Sequence, residues 1–196
     1  MMPHDAIPET DPLATTLPPP RQANPISRLA RVIGQAARFP GDAYGLGTGE
    51  KAALARMDPE AMRAHQIAAL SRALIQAELE PEKWKPESWR RWGLIAHGMA
   101  LAGHHGKDAL GVQLHRAGVA ESRVTKLLTA RGESFRQLIP PLMRLLASKE
   151  EAPNWGELGG LILNEGKDEE RAEAIRMKIA GRYFSAQAKD KTKASH

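Results

Sequence analysis

The chain predicts an all-α fold, about nine helices in two packed helical lobes, and three observations carry that prediction. Every segment with a clear apolar period repeats at helical spacing, with apolar residues three and four apart. No alternating run of useful length marks a strand, and no internal repeat marks a solenoid. Helix-starting chemistry, a capping side chain beside Pro or an acid, recurs at Asn24-Pro25, Asp58-Pro59-Glu60, Asn154 and Asp168-Glu169. These signals divide the chain into a leader (1–24), an N-terminal lobe (25–115), a C-terminal lobe (116–188) and a basic flexible tail (189–196).

The leader carries six prolines among small polar residues and lacks the apolar content to fold alone. Asn24-Pro25 then opens a helix with Leu29, Val32, Ile33 and Ala36 on one side and Arg28, Arg31 and Arg38 elsewhere, ending by Phe39-Pro40. The link GDAYGLGTG has no preceding strand and no Gly-Lys-Ser/Thr ending, so it reads as a connector rather than a phosphate loop. Thr48 caps a short helix that ends at Met57, with Arg56 at its C-terminal end, where the helix dipole also favours a cation.

Asp58-Pro59-Glu60 opens the next helix, expected to run to about Leu79 with Ile67, Leu70 and Leu74 buried. Pro81 and Pro86 bound a loop containing Trp84. The helix from Glu87 to about Gly103 is apolar over much of its circumference, which predicts a central position. The stretch from Leu110 to Arg131 then holds a short helix ending near Gly118, a turn, and a second helix opening at Glu121-Ser122. That second helix places Val124, Leu127 and Leu128 on one face and Arg123 and Lys126 beside it. A further helix restarts at Gly132, with Arg136 and Arg144 on its flanks. Pro140-Pro141 must kink or break it, since neither residue donates a backbone hydrogen bond. Asn154 caps WGELGGLILN. The last helix runs from Asp168 to about Ala188, with Ala172, Ile175, Ile179 and Tyr183 inward and Arg171, Lys178, Arg182 and Lys189 sharing a side.

Charge is the strongest functional signal. The net charge is +5 and the sequence pI about 9.6, the footprint of a chain that displaces counterions from a phosphate backbone. It is clustered: Arg171–His196 holds seven Lys/Arg and two Asp/Glu, and Arg21–Gly41 holds four Arg and no acid. The absence of cysteine excludes disulfides, thiolate zinc and Cys nucleophiles, and it fits a reducing cytoplasm. The most apolar window, Trp92–Gly103, is interrupted by His97 and is too short to span a bilayer. His97, His104, His105 and His115 raise the question of a metal. No HExxH motif or carboxylate at ligand spacing accompanies them, so polar, capping or RNA-facing histidines are expected, with no cofactor.

Several segments resemble a known family: LIAHGMALAGHH, ALGVQL, AESRVTKLLTARGESFRQLIPPLMRLLAS, NWGELGGLIL and the closing RMKIAGRYF, with GEKAALARMDP before them. Their order and spacing over about residues 48–186 resemble CasB, the small subunit of the type I-E Cascade, an RNA-guided CRISPR surveillance complex. The resemblance implies a non-catalytic, two-lobed helical protein. It also implies other Cascade subunits and a second copy of the chain as partners. Basic residues would hold the guide RNA–target DNA hybrid and the displaced DNA strand. Matched residue by residue, the family's basic positions fall on Arg56, Arg123, Lys126, Arg176, Lys178 and Arg182; Arg116 and Arg144 complete the candidate set. A rigid surface of spaced cations binds phosphates without reading bases, which leaves sequence recognition to the guide. The alternative is a helical protein–protein adaptor whose basic helices dock on acidic partners.

Overall fold

The computed structural model describes residues 24–36 and 46–194; the predicted leader up to residue 23, the helix end at Phe39-Pro40, Arg38, the first part of the glycine-rich link and residues 195–196 lie outside them. The described residues form nine α-helices and one 3-10 turn, with no strand among them. The first four helices are α1 (Pro25–Gly34), α2 (Thr48–Ala55), α3 (Ala64–Gln76) and α4 (Pro86–Ala102). Then follow α5 (Leu110–Arg116), α6 (Glu121–Thr129), α7 (Gly132–Ser148), α8 (Trp155–Asn164) and α9 (Glu169–Ala194). The 3-10 turn is Pro81–Lys83, in the loop before α4.

As its composition predicts, α4 is central. Every residue from Arg91 to Met99 is buried, because α1, α2, α7 and α8 pack around it. Closeness to α8 requires Gly98: a Cβ there would lie 2.3 Å from the ring of Trp155, which is fully buried. Arg91 enters this core through three hydrogen bonds. Its Nη1 donates to the Ile162 and Glu165 carbonyls at 2.6 and 2.5 Å, and its Nε donates to Glu87 at 2.9 Å. A cation over the last carbonyls of α8 satisfies groups that the helix itself leaves open.

The second dense contact is α5 on α9. Gly111 permits it, since a Cβ there would meet the Ile179 carbonyl oxygen at 2.2 Å and Arg182 Cβ at 2.9 Å. Tyr183 faces inward from α9 and donates its hydroxyl to the Val119 carbonyl at 2.7 Å. Gly118, with φ at +69°, makes the turn between α5 and α6. Buried apolar residues from all nine helices belong to one cluster.

Local chemistry accounts for the helix starts. Asn24 accepts the Ile26 N–H, Asn154 accepts that of Glu157 and Asp168 that of Arg171. Four expectations need correction. First, Thr48 is the first residue of α2, whose cap position is Gly47. Second, Asp58 starts no helix: its Oδ1 accepts the Glu60 N–H in a tight turn, and α3 begins only at Ala64, where Gln66 reaches back to the Arg63 N–H. With α3 rotated accordingly, Ile67 is exposed, while Ala69, Leu70, Ala73 and Leu74 are buried. Third, of the kink or break expected at Pro140-Pro141, the break does not occur: α7 runs through both residues. The two carbonyls left without a donor belong to Arg136 and Gln137, half-buried and exposed, so neither is sealed in the core. Fourth, α9 continues past Ala188 to Ala194.

Candidate nucleic-acid interface

The eight sequence-predicted cations divide by what lies next to them. Arg56, Arg123, Lys126, Arg144 and Arg182 are exposed, and none of their side chains has a hydrogen bond or ion pair to a described residue. Helix geometry explains this on α6. Val124 and Leu127 are buried, so Arg123 and Lys126, three apart, share the outward side without an acid beside them. On α7, Arg144 follows the buried pair Leu142 and Met143 and points outward. Arg182 leaves α9 beside the Gly111 crossing, which holds its Cβ in the helix–helix contact while the rest of the side chain is exposed.

The other three cations are neutralised. Arg116 makes a two-pronged bond to Glu151, at 2.7 and 2.6 Å, and a third to Asp108 at 2.9 Å. These bonds hold its proton more tightly than usual. Lys178 pairs with Glu157 at 2.8 Å. Arg176 is 3% exposed and pairs with Glu173 at 2.7 Å and Glu169 at 3.3 Å. Its Nε and Nη2 are buried without a hydrogen-bond partner. Glu169 titrates below the usual carboxylate range, first because it accepts the Gly166 N–H and then because of Arg176.

His97 ties α4 to the end of α2. It is buried on α4 with Nδ1 3.0 Å from the Leu54 carbonyl, two residues before Arg56. Burial is the main force pulling its pKa below the ordinary imidazole value; the Leu54 carbonyl opposes this, and Arg144 adds to it. Arg144 on α7 and the end of α2 therefore approach the same histidine.

The remaining histidines play separate parts. His104 accepts the Trp155 N–H at 3.3 Å, and its pKa is lowered chiefly by burial. His115 lies 2.8 Å from Asp190. Among the described residues, no group of three or more His, Asp or Glu converges as a metal site would require.

Sequence reasoning missed two members of the surface near Arg56. A cleft of about 480 Å³ between α2 and α3 is lined by Arg56, Asp58, Ala61, Arg63, His65 and Gln66. Arg63 and His65 are exposed there, and their side chains, like that of Arg56, have no partner among the described residues. The sequence hides this because Glu60, three residues before Arg63, reads as its helical ion-pair partner. In the fold Glu60 is taken by Arg90 at 3.6 Å and Arg136 at 3.1 Å instead.

These features define an all-helical protein with five of its eight candidate cations exposed and their side chains unpaired among the described residues. The model of the CRISPR-associated protein Cse2 family matches residues 50–184, and the chain belongs to that family. It is a small subunit of the type I-E Cascade, the complex whose other subunits are its partners. No curated protein and no solved structure matches the chain. No helix among the described residues is long and apolar enough to cross a membrane.

Proposed function

We propose that this subunit steadies the guide RNA–target DNA hybrid and the displaced DNA strand by gripping their phosphates, and that it catalyses no reaction itself. One observation carries the reading: Arg56, Arg123, Lys126, Arg144 and Arg182 are exposed on four different helices or their ends, with no acid among the described residues to neutralise them. An exposed cation without a partner has its full charge to offer a phosphate, and such contacts position a strand without reading it. The grip acts in the cytoplasm and involves two copies of the chain within the complex, each with lobes at about 25–115 and 116–188.

The test is binding of the purified full chain to a labelled single strand and to an RNA–DNA hybrid over a range of salt concentrations. Expected is sequence-tolerant binding that weakens steeply as salt rises and is lost stepwise as the five cations become Ala. Tight binding indifferent to salt would count against it.

The adaptor reading keeps a place beside this one because of the apolar surface. Ile75 on α3 is 61% exposed, and Met177 on α9 is 67% exposed. Contacts of this kind suit docking on other Cascade subunits. If Ile75→Asp and Met177→Asp release the subunit from the complex while nucleic-acid affinity stays as in the wild type, docking and strand-holding use different surfaces.

A further inference from the structure

Arg56 ends α2 and Arg63 precedes α3, with a six-residue turn between them. A turn of that length leaves two side chains free to drift apart unless something fixes its ends. Gln66 fixes them. It is 5% exposed; its Nε2 donates to the Arg56 carbonyl at 3.2 Å, and its Oε1 accepts the Arg63 N–H at 2.9 Å. One buried amide thus ties the two arginine-bearing backbones together across the floor of the cleft.

The turn is braced from outside as well. Glu60 within it is held by Arg90 and Arg136, so the nearest acid in sequence faces away from Arg63's charge. Asp58 is the only carboxylate in the cleft lining, and its Oδ1 already accepts the Glu60 N–H at 3.0 Å. Two guanidinium groups against one carboxylate leave the cleft positive even with His65 neutral.

We propose that Arg56 and Arg63 form a two-armed clip for one backbone phosphodiester of a nucleic-acid strand, with Gln66 as the positioning residue that sets the distance between the arms. The proposal rests on the strand-holding reading above and adds to it a second arm and the element that aligns the pair. Arginine suits the task because its planar fork meets phosphate oxygens through two parallel bonds, and a fork held in advance loses less freedom on binding. Such a clip takes DNA or RNA of any sequence, since the phosphodiester carries no base information.

The test measures binding of the full chain to the same single strand and hybrid. The variants are R56A, R63A, the double variant, and Q66M in both the wild-type and double-variant backgrounds, with thermal unfolding as a fold control. Each single arginine variant is expected to weaken binding by about 10–100-fold, the scale of one charge-assisted bond. The double variant should lose less than the product of the two, because both arms hold one phosphate. Q66M should weaken binding in the wild-type background and change nothing once both arms are gone.

Normal binding by R63A beside weakened R56A would overturn the clip. Equal loss from Q66M in both backgrounds would overturn the positioning role. Should Q66M fail to fold, the arginine double-mutant cycle alone decides whether the clip exists. Failure of the wild-type chain to bind either nucleic acid would instead remove the strand-holding reading, a distinct result.

Discussion

Arg176 and Arg182 stand six residues apart on α9 and look alike in the sequence, yet the fold gives them opposite tasks. Arg176 falls on the buried side near Ala172 and Ile179, so its charge is taken out of water and met by Glu169 and Glu173. Arg182 falls outside that stripe, with its Cβ against the α5 crossing and no acid within reach. The difference arises from about 100° of rotation per residue together with the crowding of acids in the first turns of α9, where the dipole favours them. Positive charge in a sequence is thus of two kinds. One is consumed in holding helices together, and the other is left for a partner.

The largest expected effect tests the first kind. Arg176→Ala leaves Glu169 without its cation, while Glu173 keeps Arg131, and opens a gap where a long side chain was buried; it should cost about 3 kcal/mol of stability in urea unfolding. Strand affinity of the folded protein should stay within about twofold of wild type, as for a residue that makes no phosphate contact. A variant that is fully stable but binds poorly would erase the division between the two arginines. Next in size is Gly111→Ala. The added methyl meets α9 backbone at 2.2 Å, where no flexible side chain can yield, and should cost about 1–3 kcal/mol. Because the same methyl pushes on Arg182 Cβ, this variant should also weaken strand binding, joining the two regions in one measurement.

Arg182→Glu probes the second kind directly. Stability should change by less than about 0.5 kcal/mol, since the side chain has no partner to lose. Affinity for a single strand at low salt should fall about tenfold, as a phosphate contact becomes a repulsion.

How much of this was legible in the sequence follows from the range of the forces involved. Helix number, the central position of α4 and the caps at Asn24, Asn154 and Asp168 depend on residues a few positions apart, and all appear as predicted. The start of α3 does not. Asp58-Pro59 has the chemistry of a cap, but the turn it makes is braced by Arg90 and Arg136, which lie on other helices. Pro140-Pro141 do not end α7 for a similar reason: Ile139, Leu142 and Met143 on either side are buried in the core, where packing holds the helix that local bonding alone would end. The predicted interface was legible as a set of cations and not as a surface. Which cation is paired depends on Glu151, Glu157 and Glu60, each brought in from a different helix or turn. Gln66 carries no sequence signal at all, because an amide bridging two backbones looks like any polar helix residue.

A pH titration sharpens the contrast from the side of the core. His97 is buried, and its pKa is depressed mainly by that burial, so near Arg144 it stays neutral where a free imidazole takes a proton. Below about pH 6.5 the unfolded chain therefore binds a proton that the native state resists, and stability falls as pH is lowered through that window. Thermal unfolding at pH 7.5 and 5.5 should show the drop, and His97→Gln should remove part of it. An equal drop in the variant would assign the acid sensitivity to other groups, His104 first among them.

The smallest effect belongs to Arg116, a surface cation that its carboxylates already neutralise. Arg116 and Asp108 are about half exposed and only Glu151 is largely covered, so Arg116→Ala should cost about 1 kcal/mol and less at high salt. Strand affinity should barely move, because a guanidinium bonded to Glu151 and Asp108 presents little net charge to a phosphate. The converse experiment is more informative. Removing both acids, as Asp108→Asn with Glu151→Gln, frees the same arginine without adding a cation to the sequence. Affinity should then rise by about two- to fivefold at low salt, the scale of one added phosphate contact. If the freed Arg116 leaves binding unchanged, the availability of charge matters only where the strand already runs, and Arg116 lies away from its path.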